Sequence, residues 1–189
     1  MPGKMAREIS AGGVVLRSQN GTWWMAAIEL PEDSRSSAPN SRRVPRGPKP
    51  TLCLPKGLVD PGEKALDAAQ REVREETGVT AELVEKLGDI KYVYLRSWGD
   101  RQKVFKIVSF YLLRYQSGRI DDVTPEMRIE VARACWIPLQ DAPKLLAYKG
   151  EKEMARRAID YVATNPDLVP KPAHVAGPPA SHPRKAPRA

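Results

Sequence analysis

The sequence predicts an α+β domain, a sandwich built on a mixed β-sheet. Three observations point to it. Runs rich in β-branched and aromatic residues, bounded by turn signals, recur from the N-terminal third to about position 139. Two stretches, around 60–78 and 151–165, carry apolar residues at three- and four-residue spacing, the period of amphipathic helices. The two kinds of element do not alternate regularly, which disfavours a doubly wound parallel sheet.

The elements follow in order. "EISAGGVVLR" (Glu8–Arg17) reads as a strand, and its glycine pair permits a bulge or close packing. "TWWMAAIEL" (Thr22–Leu30) reads as its hairpin partner across the turn signal "QNG". Residues 31–50, rich in Pro, Ser and Arg and without periodicity, read as a long basic loop. "TLCLP" is a short strand. The next helix has Asp60, Pro61 and Glu63 as start signals, an apolar face of Leu66, Ala69, Val73 and Thr77, and Gly78 as its stop. A strand ends near Arg96, and Lys103–Tyr115 reads as the longest strand of the chain. Arg133–Leu139 is a further strand and "LQDAPKLLAY" a short helix. Glu151–Asn165 forms the last helix, with Met154, Ala158 and Tyr161 or Val162 facing inward. Residues 1–165 are thus expected to form one domain. Residues 166–189, a Pro/Ala-rich tail with scattered Lys and Arg, have a composition that cannot build a core and are expected to be disordered.

Composition narrows the function classes. At 189 residues the chain is long enough to bury a real core. It has no run of about eighteen apolar residues, and its start lacks an apolar signal region, so a cytoplasmic protein with no membrane partner is expected. Cys53 and Cys135 lie among apolar residues and read as buried thiols; both histidines, His174 and His182, fall in the tail. No zinc-ligand spacing exists. The net charge of +8 favours acidic partners such as phosphates or nucleic acid.

The chemistry concentrates in "GLVDPGEKALDAAQREVREETGV" (Gly57–Val79). Glu72, Glu75 and Glu76 fall three and four positions apart, on one face of a helix. Like charges at that spacing repel by a few tenths of a kcal/mol per pair. A solvated helix intersperses lysines four residues after its glutamates; here Glu72 and Glu76 have none, and Arg71 precedes Glu75 in the less favourable order. Clustered hard oxygen donors on a rigid face suit Mg²⁺, which binds through a few carboxylates, water and substrate phosphates. The preceding "LPKG" adds Lys56, a point charge for phosphate, and a glycine that permits close backbone approach.

This stretch matches the Nudix box without departure: Gly-x5-Glu-x7-Arg-Glu-aliphatic-x-Glu-Glu-x-Gly-aliphatic, on Gly57, Glu63, Arg71, Glu72, Val73, Glu75, Glu76, Gly78 and Val79. Chance gives such a match on the order of 10⁻⁹ to 10⁻¹⁰ per start position. "AGGVVL", "LPKG" and "RACWIPLQDA" also resemble family segments, so the likeness runs from about Arg7 to Tyr161. The chain therefore resembles the Nudix hydrolases. The resemblance implies an α/β/α sandwich with a mixed sheet between helices. It implies divalent-metal-dependent hydrolysis of a phosphoanhydride in a nucleoside diphosphate linked to another group. By motif position, Glu72, Glu75 and Glu76 would bind Mg²⁺ or Mn²⁺, with the Gly57 carbonyl as a further ligand. Arg71 would orient a catalytic glutamate, and Glu63 would support the loop or cap the helix. Members of the family differ in their general base. Glu72 is one candidate; Glu130, six residues before Trp136, resembles the family's distal acid; Glu126 is the fallback.

Substrate choice lies outside the box. "LPKG…DPGE" and "KVFKIVSFYLL" look most like the branch acting on dinucleoside polyphosphates and diphosphoinositol polyphosphates. Lys56, Arg46 and Lys106, with Arg42, Arg43, Lys49 and Lys103, could meet such anions, and Tyr94 or Trp98 could stack on a base. A nucleotide-pool pyrophosphatase acting on oxidised triphosphates, or one acting on nucleoside-diphosphate sugars, is the alternative. A non-catalytic nucleotide- or RNA-binding module is the alternative of another class; the intact box glutamates favour catalysis. The expected partner is a small polyphosphate; the fold allows a homodimer, and nucleic acid is not required.

Overall fold

The computed structural model describes residues 5–32, 50–96, 102–165 and 168. Its strands are β1 (Ala6–Gln19), β2 (Thr22–Glu29), β3 (Leu52–Cys53), β4 (Lys56–Leu58), β5 (Val79–Leu95), β6 (Lys103–Gly118) and β7 (Arg133–Pro138). Its helices are α1 (Ala65–Thr77), α2 (Ala142–Leu145) and α3 (Lys149–Thr164). The sheet order is β3-β2-β1-β6-β5, with β4 pairing β1 and β7 pairing β2. β1 and β6 run parallel and the other pairs antiparallel, so the sheet is mixed, as the sequence predicts.

Both faces of the sheet are covered. Val14 and Leu16 of β1 pack with Met154, Ala155 and Ala158 of α3. Val15, one position along and so on the opposite face, packs with Val73 of α1. This is the expected α/β/α sandwich. α1 approaches β1 closely because Gly13 has no side chain; a Cβ there would sit 2.6 Å from Val73 Cγ2. The glycine pair thus serves close packing, and β1–β6 pairing runs unbroken through it. Asn20 and Gly21, with φ of 51° and 75°, form the β1–β2 hairpin turn.

Four expectations need correction. The helix begins at Ala65, behind Lys64, because Asp60–Glu63 form a separate turn in which Glu63 N–H donates to Asp60 O at 3.0 Å. No strand is expected from the sequence at 56–58, yet the three residues of β4 pair with β1 across Gly12↔Lys56 and Ala11↔Gly57. β5, at 17 residues, is longer than β6 at 16. Its Glu, Lys and Gly content hides a strand that continuous pairing with β6 imposes, at the cost of three register shifts. Finally, the expected short helix at 139–148 is a 3-10 turn, Leu139–Asp141, followed by the four residues of α2. Cys53 is buried and Cys135 partly buried, both as free thiols. The loop's Arg42, Arg43, Arg46 and Lys49, as well as Trp98, His174 and His182, lie outside the described residues.

Candidate active site

α1 is built from strong helix formers and ends where Gly78, in the left-handed conformation, donates its N–H to Arg74 O at 2.9 Å. The helix period puts Arg71, Glu72, Glu75 and Glu76 beside β4. Arg71 holds most of this charge together. Its Nε and Nη2 donate to Glu63 Oε1 and Oε2, each at 3.0 Å, a two-pronged carboxylate grip. Its Nη1 donates to Glu72 Oε1 at 2.7 Å and Glu75 Oε2 at 3.2 Å, and Nη2 also reaches Leu58 O at 3.0 Å. One guanidinium therefore serves three carboxylates. Glu63 closes its own turn by accepting the Asp60 N–H at 3.0 Å, so it is both a turn brace and an anchor for Arg71.

Glu76 stands apart from that grip. It is only 6% exposed, and its Oε2 accepts the Lys56 N–H at 2.7 Å. Burial pushes its carboxyl up to about 8; Lys56 and its N–H oppose this, while Glu72 and Glu130 add to it. Glu72 is raised too, chiefly by burial, with Arg71 opposing and Glu75 and Glu130 adding. Glu130 comes from the β6–β7 connection, just after the 3-10 turn Glu126–Ile129, yet its charge is felt at both box glutamates. Its neighbours hold that connection firmly. Asp121 Oδ1 accepts from Arg128 Nη1 and from the Ala134 N–H, each at 2.7 Å. Glu126 is exposed, and its carboxyl is lowered by hydrogen bonds to its own N–H and to Thr124.

Gly57 lies directly under Glu72. A Cβ at this position would overlap the Glu72 carboxylate, so only glycine lets that side chain lie against β4. Among the described residues, no three carboxylate, histidine or cysteine side chains already converge as a closed metal-binding set. The donors nevertheless fit a hard divalent cation. They are oxygens on a rigid helix and strand, and burial, with a smaller contribution from neighbouring carboxylates, raises Glu76 and Glu72; a bound cation would favour their charged forms.

The two described lysines proposed for phosphate share a sheet face, since β1 pairs Gly12 with Lys56 and Glu8 with Lys106, two pleats apart. The Lys56 ammonium pairs with Glu151 Oε1 at 3.1 Å and remains 26% exposed. The Lys106 ammonium is lowered by burial and by Lys56, and lies 3.6 Å from Glu8. Glu8 also accepts from the Tyr94 hydroxyl at 2.8 Å and from Arg96 at 3.4 Å. Tyr94 is thus held at its hydroxyl, with its ring 6.2 Å from that of Tyr92. Lys103 is exposed at the start of β6. Sequence reasoning missed Glu8 and Glu151. Glu8 reads as an ordinary strand-end acid and Glu151 as a helix-start acid, and no local signal distinguishes them.

Residues 11–158 match the family model described as NUDIX domain. The chain is 33% identical to "Putative mutator protein MutT4" of Mycobacterium tuberculosis (strain CDC 1551 / Oshkosh) over 188 residues, 98% of this chain and 67% of that protein. It is 33% identical over 106 residues to "8-oxo-(d)GTP phosphatase" of Mycolicibacterium smegmatis, covering 56% of this chain and only 29% of that longer relative. It is 30% identical over 118 residues to the asymmetrical bis(5'-nucleosyl)-tetraphosphatase of Mus musculus, covering 59% of this chain and 72% of that protein.

Proposed function

The chain belongs to the Nudix family and is a Nudix phosphohydrolase, and from that premise we propose that it cleaves a phosphoanhydride of a dinucleoside polyphosphate or a diphosphoinositol polyphosphate. The observation that carries the reading is the acidic focus: Arg71 ties Glu63, Glu72 and Glu75 together beside a buried Glu76, and Glu130 faces them from another loop. Glu72, Glu75, Glu76 and the Gly57 carbonyl would hold Mg²⁺ or Mn²⁺. The cation supplies charge neutralisation at the phosphate oxygens and a lowered pKa for bound water. Arg71 keeps the Glu72 carboxylate oriented and prevents it from swinging into solvent. Glu130 takes the proton of the attacking water on a carboxylate oxygen, with Glu72 as the competing base. Lys56 and Lys106, and Arg46 from the basic loop, meet the remaining phosphate charge.

The mouse relative's named activity supports a polyphosphate chain as substrate. A second reading, an oxidised nucleoside triphosphate, is favoured by the name of the Mycolicibacterium relative. The catalytic unit would be residues 1–165, with 166–189 as an appended tail. No helix among the described residues is long and apolar enough to cross a membrane, and nucleotide substrates fit work in the cytoplasm. The test is phosphate and nucleotide release with Mg²⁺ from diadenosine tetraphosphate, an inositol pyrophosphate, ADP-ribose, and normal and oxidised triphosphates, beside Glu76→Gln. Preference for the first two, lost in the variant, is expected. Preference for oxidised triphosphates would transfer the assignment to the second reading, and wild-type turnover by the variant would refute the metal site.

A further inference from the structure

Two carboxylates from opposite helices grip one short segment, residues 54–56. Glu76 of α1 accepts the Lys56 N–H at 2.7 Å. Glu151, in the first turn of α3, accepts the Leu54 N–H on Oε2 at 2.9 Å and pairs with the Lys56 ammonium through Oε1 at 3.1 Å. Both Glu151 oxygens are used, and the residue is 3% exposed. The grip is reinforced next door, where Ala147 N–H donates to Leu52 O at 2.9 Å and Leu146 bridges Leu52.

We infer that Glu151 is a positioning residue of the active site: through Leu54 and Lys56 it fixes the strand segment against which Glu76 and Glu72 are seated. The inference rests on the proposed reading of the box as a metal site. Its logic is physical. A buried carboxylate is expensive to desolvate, and a well-packed apolar residue commonly stabilises a fold as much or more. α3 already anchors itself to the core through Met154, Ala155 and Ala158. The hydrogen bond and ion pair of Glu151 run instead to Leu54 and Lys56. One residue beyond Lys56 lies Gly57, where the Glu72 carboxylate occupies the space a Cβ would take. A shift of this segment therefore displaces the Lys56 N–H from Glu76 and the Gly57 backbone from Glu72 together. Outer partners of this kind typically change metal affinity or activity by about 10- to 100-fold when removed.

The experiment compares wild type, Glu151→Ala, Glu151→Gln and the core control Met154→Ala. Three quantities are read: melting temperature, Mn²⁺ binding without substrate by calorimetry, and kcat and KM with Mg²⁺. The last two are read at a temperature where every variant is folded. Glu151→Ala is expected to weaken Mn²⁺ binding by about 10-fold or more and to lower kcat similarly. Glu151→Gln should fall between it and wild type, since its amide oxygen still accepts the Leu54 N–H while Lys56 loses its counter-charge. Met154→Ala should lose stability and keep Mn²⁺ affinity and kcat. If Glu151→Ala does not fold, Glu151→Gln against Met154→Ala carries the same comparison. Glu151 variants that lose only melting temperature, with Mn²⁺ affinity and kcat within about twofold of wild type, overturn the inference and leave the metal site standing. Wild-type protein that binds no Mn²⁺ overturns the metal reading itself, and this inference with it.

Discussion

Glu76 offers a test of the metal site that needs no substrate. Its carboxyl ordinarily titrates at 4.5 and is held at about 8 by burial and by neighbouring carboxylates. The unfolded chain therefore loses this proton near pH 4.5, while the folded protein keeps it to about pH 8. Between those values the folded state binds more protons, so stability falls as pH rises through the window and levels off above it. A gap of about 3.5 pH units at ~1.36 kcal/mol each sets a ceiling of ~5 kcal/mol, of which ~3 kcal/mol is already lost at pH 7. Glu76→Gln removes the ionisation and keeps a carbonyl to accept the Lys56 N–H. Its melting temperature in EDTA should change little with pH for this reason, and should exceed that of wild type by roughly 10 °C at pH 8. Added Mg²⁺ should stabilise wild type and leave the variant almost unmoved. The assay is thermal denaturation of both proteins from pH 5 to 9, with and without Mg²⁺. Superimposable profiles in EDTA would refute the raised carboxyl of Glu76 and the burial that causes it.

Three other substitutions probe the same assembly. Arg71→Lys keeps one charge but cannot span Glu63, Glu72, Glu75 and Leu58 O at once; kcat should fall by about 100-fold, and a loss under about threefold in steady-state kinetics would mean the grip is dispensable. Gly57→Ala forces the Glu72 carboxylate aside, so circular dichroism should report an intact fold while kcat drops by about 100-fold; unchanged turnover would show that Glu72 has freedom to move. Glu130→Gln should cost about 10²- to 10⁴-fold in kcat with Mn²⁺ affinity within about threefold of wild type, whereas near-normal kcat would pass the role of base to Glu72.

The box was legible because its geometry is local. Once the stretch up to Gly78 is read as a helix, the three- and four-residue spacings put Glu72, Glu75 and Glu76 on one face, whatever the rest of the chain does. The mixed sheet was legible for a similar reason: alternating apolar runs separated by turn signals leave few topologies open. β5 was only half legible, because its polar residues and Gly88 reduce its intrinsic preference for a strand, and pairing with β6 overrides that preference. The helix start was misplaced because Glu63 does accept the Asp60 N–H as a capping acid would, but Gly62, at φ 84°, takes the chain out of helical conformation there, so the helix starts only at Ala65.

From its own residues, then, the sequence determined the acidic face, the arginine beside it, the glycine before it and the family they belong to. The tertiary structure alone decided what surrounds them. Glu151 meets Leu54 across 97 positions, and Tyr94 meets Glu8 across 86. Such contacts arise only when the two faces of the sheet have been packed. No spacing encodes them, because a buried acid's partner is chosen by the fold that brings it there.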